Sequence, residues 1–503
     1  MVLALFGDVF IYILDFFGFT KCDSPFFIEK YKSYCTFICF VLKYNKTKKG
    51  GRQMSYSDME MAKRLAKGAA ELGGCAYFVG GYVRDLLSGG EGKDIDVEVH
   101  GLTPDQLKGL LDSLGQRLDI GESFGIFGLK GYDIDIAMPR KESCRGRGHR
   151  DFDVFVDPHI GTLGAAKRRD FTVNAMMQNI LTGEIVDHFG GREDLEKGII
   201  RHVNDQSFAE DPLRVLRGAQ FAARFGFEIA EETKTLCKNM DLSTLPRERI
   251  MGETEKALLK AKKPSIFFEK MREMDQLEVW FPELMALIGV EQNPRYHSEG
   301  DVWVHTMMVI DKAAELKEYS SNPLGFMLSA VAHDFGKAVS TEVIDGVIHA
   351  YGHEVKGLPL VKKFIERLSG EVALTKYLLN MTELHMKPNV LAAANAPIKS
   401  SNKMLDSAID PEGLICLAIA DSLGKTSPLE YISYNDYFKE RMAIYRHYMS
   451  RPYVMGQDLI EAGLKPCKEF SDYLAYAHKL RLAGVDKESA LKQTLAYAKK
   501  GKK

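Results

Sequence analysis

In "GGYVRDLLSGGEGKDIDVEV", residues 80–99, a glycine pair is followed by Asp94 and Asp96 with a single isoleucine between them. Side chains two apart on a strand share a face, so these carboxylates stand side by side. Their like charges repel unless a cation neutralises them, and Mg²⁺ shared with substrate phosphates is the usual solution. Gly80 and Gly81, after the apolar "AYFV", predict a tight strand-to-helix turn. Its backbone N–H groups and the helix N-terminus can receive phosphate oxygens, with Arg84 in the first turn of that helix. Taken alone, the pair equally suits a solvated strand after an ordinary turn. "YDIDIAM" repeats the pattern with Asp133 and Asp135. A third carboxylate, for which Asp135 is favoured, can bridge two metals or assist an attacking hydroxyl. A solvated strand face is the alternative there too.

In "AKRRDFTVNAMM" a helix would put Asp170 and Asn174 on one face, able to hydrogen-bond ribose hydroxyls, with Arg168 and Arg169 near a triphosphate. In "SFAEDPLRVLR", Ser207 and Glu210 have capping-box spacing, and Asp211 and Arg214 fall on one face. An acceptor beside a forked donor can read a base edge; a surface salt bridge is the other reading. Farther on, His305, His333–Asp334, His349, His353, His385 and Asp421 are gathered within residues 297–421. Imidazole and carboxylate are the ligands expected for a divalent transition metal.

The elements that must hold these residues follow from the pattern. Short β-branched and apolar runs alternate with helical segments from Asp58 to about Leu181, the signature of a mixed sheet with helices. From Ser207 onward long amphipathic stretches predominate, so the remainder is predicted helical. The class is therefore α+β. At 503 residues the chain exceeds one core and predicts about three or four domains of ~100–200 residues each. With 45% hydrophobic and 27% charged residues the composition is that of a soluble protein, and a net charge of −2 confines any nucleic-acid contact to local patches. Such patches lie at Arg145–Arg150, Lys167–Arg169, Arg217, Arg224 and Arg247–Arg249. The 8 cysteines form no CxxC pair or regular framework, which fits a reducing, cytoplasmic setting. The apolar runs in the first ~45 residues fall short of the ~18 uncharged residues of a membrane span. The expectation is an upstream extension, residues 1–53, with Met54 as the functional start and no membrane contact; an anchor is the competing reading.

"GGYVRD", "DIDVEV", "RRDFTVNAM", "DHFGGREDL" and "EDPLRVLRGAQFAARFGF", in this order, resemble the class II tRNA nucleotidyltransferase and bacterial poly(A) polymerase family over roughly Ala76 to Leu259, including "LPRERIMGETEKALL". The resemblance implies a nucleotidyltransferase head of the polymerase β type followed by helical neck, body and tail. It implies Mg²⁺ binding by Asp94 and Asp96, triphosphate and ribose contacts from Gly80, Gly81, Arg84, Arg168, Arg169, Asp170 and Asn174, and base reading by Asp211, Arg214 and Arg217. "PRKESCRGRGHRDFDVF" stands where the family has a mobile loop that helps change specificity from C to A. Relatives often carry an acid just before "RRDFT", where this chain has Gly164 and Ala165, a departure that touches no catalytic group. The order H…HD…D resembles the HD phosphohydrolase domain. His305, His333, Asp334 and Asp421 match its metal ligands, Lys337 stands where the family often has a basic residue, and His353 and His385 match additional ligands that permit a second metal.

The boundaries implied are 1–53 extension, 54–205 head, 206–292 neck and body, 293–426 HD domain and 427–503 helical tail. The expected activity is template-independent addition of C and A to tRNA 3′ ends from CTP and ATP, with tRNA as partner and a second, hydrolytic activity in the HD domain. Alternatives are an A-adding enzyme or poly(A) polymerase, a metal-dependent phosphohydrolase whose head only holds RNA, a vestigial HD domain kept for packing or RNA contact, and a non-catalytic RNA-binding protein.

Overall fold

The computed structural model describes residues 56–90, 92, 95–121, 125–144, 152–426 and 434–500. The extension 1–53, Met54, Asp94 and the basic run Arg145–Arg150 lie outside them. No helix among the described residues is long and apolar enough to cross a membrane.

Strand β1 (Cys75–Val79) stops at Gly80, whose φ of 66° is open to glycine at little cost, and the chain reverses there into the helix Gly81–Leu87. Strand β2 (Ile95–His100) alternates with period two: Ile95, Val97 and Val99 are buried on one face while Asp96, Glu98 and His100 line the other. Slipping its register by one residue would expose all three hydrophobics, at roughly 1.5–3 kcal/mol each. Their burial therefore fixes which way the acids point. The helices Tyr56–Glu71 and Pro104–Leu114 cover the apolar face, packing Met61, Leu65, Leu107 and Leu111 into one core with those residues. Thr103 and Gln106 close a reciprocal capping box that starts the second of these helices.

With β3 (Arg117–Gly121), β4 (Ile126–Leu129), β5 (Ile134–Ala137), β8 (Met177–Asn179) and β9 (Ile185–Val186) the 7-stranded mixed sheet has the order β3-β4-β5-β2-β1-β8-β9, and β6 (Arg140–Cys144) and β7 (Phe152–Val156) pair apart from it. Strand β2 pairs antiparallel with β1 and parallel with β5, in a register that sets Asp96 beside Asp135. The predicted mobile loop is in part an antiparallel hairpin, β6 with β7, the aromatic and β-branched residues of "FDVFV" lying on the β7 side.

Beyond the head, the helix Leu213–Phe225 packs on Arg247–Lys260 and Ser265–Glu273, and its core runs on into the helices of the histidine-rich region. A separate small core holds the tail helices Phe470–Leu482 and Lys487–Lys500. The fold is thus α+β, a head of mixed sheet and helices followed by a helical body, the histidine-rich region and a helical tail.

Candidate active sites

In the head, glycine turn, acidic strand and basic turn converge. A Cβ placed on Gly80 would lie 3.2 Å from Arg169 Nη1 and 3.6 Å from Asp96 Oδ2. Asp96 is half-buried and Asp135 exposed, neighbours across the parallel pair with their side chains on one face. Asp133, two residues earlier, is likewise exposed. Arg168 and Arg169 each donate an Nη2 hydrogen bond to Oε2 of buried Glu98, at 3.0 and 3.4 Å. Burial alone would raise the Glu98 pKa; the His100 hydrogen bond and the two guanidiniums override it and hold it at about 2.

Asp170 and Asn174 do meet, Asn174 Nδ2 donating to Asp170 Oδ1 at 3.2 Å, but not on an α-helix. The expected helix gives way to a bend and a 3₁₀ turn, Thr172–Asn174, because its side chains and the "DHFGGREDL" segment satisfy the backbone differently. Thr172 Oγ1 donates to Asp194 at 2.7 Å, the Asp170 side chain caps Phe171 N, and a Cβ on Gly191 would collide with the Thr172 carbonyl. Asp170 also receives Arg217, at 2.6–2.8 Å, and its pKa is lowered: burial pushes it up, and Arg217 more than reverses this. Arg217, grouped by sequence with Asp211 and Arg214, thus pairs with Asp170. Arg84 is buried, donating to Asn174 Oδ1 at 2.6 Å and to Asp85, with its guanidinium 4.4 Å from the Phe225 ring centre.

Asp211 and Arg214 adjoin at the start of the helix Leu213–Phe225. Asp211 Oδ1 caps Leu213 N, and Arg249 donates to Asp211 Oδ1 and Oδ2 at 3.2 and 3.0 Å, while Arg214 donates to the carbonyls of Ser207 and Arg168. The Ser207–Glu210 capping box is absent. Asn204 caps the helix Asp205–Ala209 by accepting from Ser207 N, and the Ser207 hydroxyl bonds to the Lys167 carbonyl instead. Asparagine in the position before the helix outcompetes a serine already inside it.

The histidine cluster is built from helices with defined starts. His305 rides on Val302–Leu316, capped by Asp301; His333 and Asp334 follow Pro323–Ala332, capped by Asn322; Asp421 is on Pro411–Leu423, capped by Asp410. His305 Nε2 lies 3.1 Å from Asp421 and 3.5 Å from Asp334; His333 Nε2 and His353 Nε2 are each 3.2 Å from Asp334, and His385 Nε2 is 3.8 Å from it. Two trios, His305–His333–Asp421 and Asp334–His353–His385, bring their donor atoms within ligand spacing. The Nδ1 atoms of His333, His353 and His385 donate to the carbonyls of Ala330, Ala350 and Thr382, which aims each Nε2 lone pair inward. His305 Nε2 and His333 Nε2 are buried without an aligned hydrogen bond among the described residues, and buried Asp334 Oδ2 is ion-paired to Lys337 at 2.7 Å. Buried, converging N and O donors of this kind fit divalent transition metal, which His305, His333, Asp334, His353, His385 and Asp421 would hold. His385, pushed down to about 3 by burial and by nearby His333, keeps its lone pair at neutral pH. His349 stands apart, stacked on Tyr351 at 4.7 Å.

A Cβ on Gly336 would collide with the backbone carbonyl of His353. Gly336→Ala is therefore expected to displace His353, lower stability by about 1–3 kcal/mol and reduce bound transition metal, as elemental analysis and thermal unfolding would record. Undiminished metal content would refute this dependence.

The Poly A polymerase head domain family matches residues 76–201, the family described as probable RNA and SrmB-binding site of polymerase A matches residues 226–288, and the HD domain family matches residues 302–425. The Multifunctional CCA protein of Pasteurella multocida (strain Pm70) is 37% identical over 402 residues, covering 77% of this chain and 92% of that protein. The chain belongs to the multifunctional CCA protein family. Another member, from Actinobacillus pleuropneumoniae serotype 5b (strain L20), is 39% identical over 316 residues, 61% of this chain and 74% of that one. In fold, this multifunctional CCA family member resembles a CCA-adding enzyme solved with ATP (TM-score 0.63, 22% identity, 89% and 95% of the two chains). It also resembles the Thermotoga maritima CCA-adding enzyme complexed with tRNA (TM-score 0.60, 22% identity, 89% and 97%).

Several residues of the CCA-family sites escaped the sequence reading. Glu98 continues the two-residue alternation of Asp94 and Asp96, a signal that was available. Arg249 was grouped with RNA-tracking arginines, whereas its fork engages Asp211. Glu299, 3.2 Å from His305 Nδ1, and Gln292, which accepts from Lys337 at 2.8 Å, precede the helix that starts at Val302, so helical spacing carried no sign of them.

Proposed function

We propose that the chain is a template-independent tRNA nucleotidyltransferase that builds CCA on tRNA 3′ ends from CTP and ATP, with a separate metal-dependent phosphohydrolase in the HD domain. The observation that carries the first part is the convergence of Asp96 and Arg169 on the Gly80 turn, with Asp135 beside Asp96 across the parallel strand pair. Asp94 and Asp96 hold Mg²⁺ in this reading, and Mg²⁺ supplies charge neutralisation to the triphosphate. Arg168 and Arg169 orient the triphosphate, while the linked Arg84–Asn174–Asp170–Arg217 set receives the ribose. Asp211 and Arg214 present acceptor and donor to the base edge, with Arg249 orienting the acid. The 3′ oxygen of the tRNA forms a bond to the α-phosphorus as the bond to the β-phosphate oxygen breaks and pyrophosphate leaves. Asp135, exposed beside Asp96, takes the proton from that hydroxyl.

In the HD domain His305, His333, Asp334 and Asp421, with His353 and His385, hold divalent transition metal, which supplies a water acidified to near neutrality. Phosphomonoesters or cyclic phosphates are the substrate class. Domain limits near 54–205, 206–292, 293–426 and 427–503 and a cytoplasmic location accord with this reading.

The deciding test gives the full chain Mg²⁺ and tRNA transcripts ending at the discriminator base, after C, and after CC, each with CTP, ATP or both. Ordered growth that stops after CCA is expected. Addition of A alone would move the assignment to an A-adding enzyme or poly(A) polymerase, and no addition would defeat the transferase reading.

A further inference from the structure

Glu98 is 1% exposed and central to a network that takes no part in the proposed transfer chemistry. It follows Asp96 by two residues on the same face of β2, and the register of β2 with Tyr77 of β1 and Ala137 of β5 fixes its backbone. His100 Nε2 lies 2.9 Å from its Oε1, and the His100 ring is itself held edge-on against Tyr77. The other carboxylate oxygen takes both Arg168 and Arg169. Arg169 thus has one Nη on Glu98 and the other beside the Gly80 turn, while its Nε is buried with no hydrogen-bond partner among the described residues.

We propose that Glu98 is a positioning residue that holds the Arg168 and Arg169 guanidiniums side by side at the glycine turn, so that they meet a nucleoside triphosphate already aligned. The inference rests on the nucleotide-site reading of the head.

Two effects of opposite sign compete. A negative charge near a polyanion site weakens its attraction for phosphate, so removing Glu98 would by charge alone tighten binding. Two like-charged guanidiniums are drawn together by the carboxylate they share; without it their mutual repulsion drives them apart. Both side chains are largely buried, 22% and 16% exposed, so they need a charged partner to remain in place. A fork that must satisfy planar phosphate contacts loses more from misalignment than it gains from a screened charge. Alignment prevails.

The test is equilibrium binding of CTP, ATP and CMP to the full chain and to Glu98→Gln and Glu98→Asp, with thermal unfolding of each. Glu98→Gln is expected to weaken CTP and ATP about tenfold while changing CMP less than about twofold, because CMP lacks the outer phosphates. Glu98→Asp keeps the charge but falls one methylene short; it is expected to show the same triphosphate-selective loss, and it answers the question should the Gln variant melt early. Unchanged or tighter CTP binding in both variants would overturn the positioning role, as would equal losses for CTP and CMP, which mark a general structural defect. Failure of the unaltered chain to bind CTP would instead overturn the nucleotide-site reading beneath it.

Discussion

Asp96→Ala is expected to lower nucleotide addition by about a thousandfold or more while leaving hydrolysis by the histidine cluster unchanged. The size follows from position. Asp96 sits on the central strand β2, between β1 and β5, where its Oδ2 faces the same point as Gly80 and Arg169. Removing it takes away half of the carboxylate pair and leaves Arg169 without the opposing charge beside the Gly80 turn. A thousandfold loss corresponds to about 4 kcal/mol of transition-state stabilisation. The fold should tolerate the change, because Ile95 and Val97 on either side supply the burial that fixes β2 and Asp96 is itself only half-buried. Single-turnover extension of a tRNA ending in CC, beside a melting curve, measures both consequences. Asp135→Ala should cost less, about ten- to a hundredfold, because an exposed carboxylate that assists a hydroxyl is partly replaced by water. Retention of a tenth or more of the activity by Asp96→Ala would remove this carboxylate from the chemistry.

The head was legible in the sequence where local rules and tertiary structure agree. The period-two runs around Asp96 and Asp135 are strands because alternate residues are buried, and parallel pairing then aligned two motifs nearly 40 residues apart, which no local spacing records. Asp170 and Asn174 meet as expected but through a 3₁₀ turn, since Thr172, Asp194 and the close approach of Gly191 outweigh helical spacing. Ser207 and Glu210 fit a capping pattern that Asn204 takes over. Ligand types in the histidine-rich region were readable from composition and order. Their orienting partners were not: the carbonyls of Ala330, Ala350 and Thr382 belong to every sequence alike, and only the folded chain turns them toward an imidazole.

The second large effect is expected from Asp334→Asn. Its two carboxylate oxygens divide the cluster: Oδ2 faces His305, His333 and Lys337, and Oδ1 faces His353 and His385. Burial would raise its pKa, yet His333 and Lys337 hold it well below the carboxylate range, so at neutral pH it is the anion that keeps four imidazoles and an ammonium together. Asparagine has nearly the same shape but no charge. It leaves Lys337, 2.7 Å away, facing a neutral amide in a buried site and removes the carboxylate whose two oxygens face both trios. Phosphoester hydrolysis should fall about a thousandfold and bound transition metal should drop from two equivalents toward one or none. CCA addition should persist, because the head carries its own core and its own carboxylates. Assaying a chromogenic phosphomonoester and a nucleoside 2′,3′-cyclic phosphate alongside tRNA extension separates the outcomes. Loss of both activities would mean that the two sites are not independent, and full hydrolysis in the variant would place the hydrolytic chemistry away from Asp334.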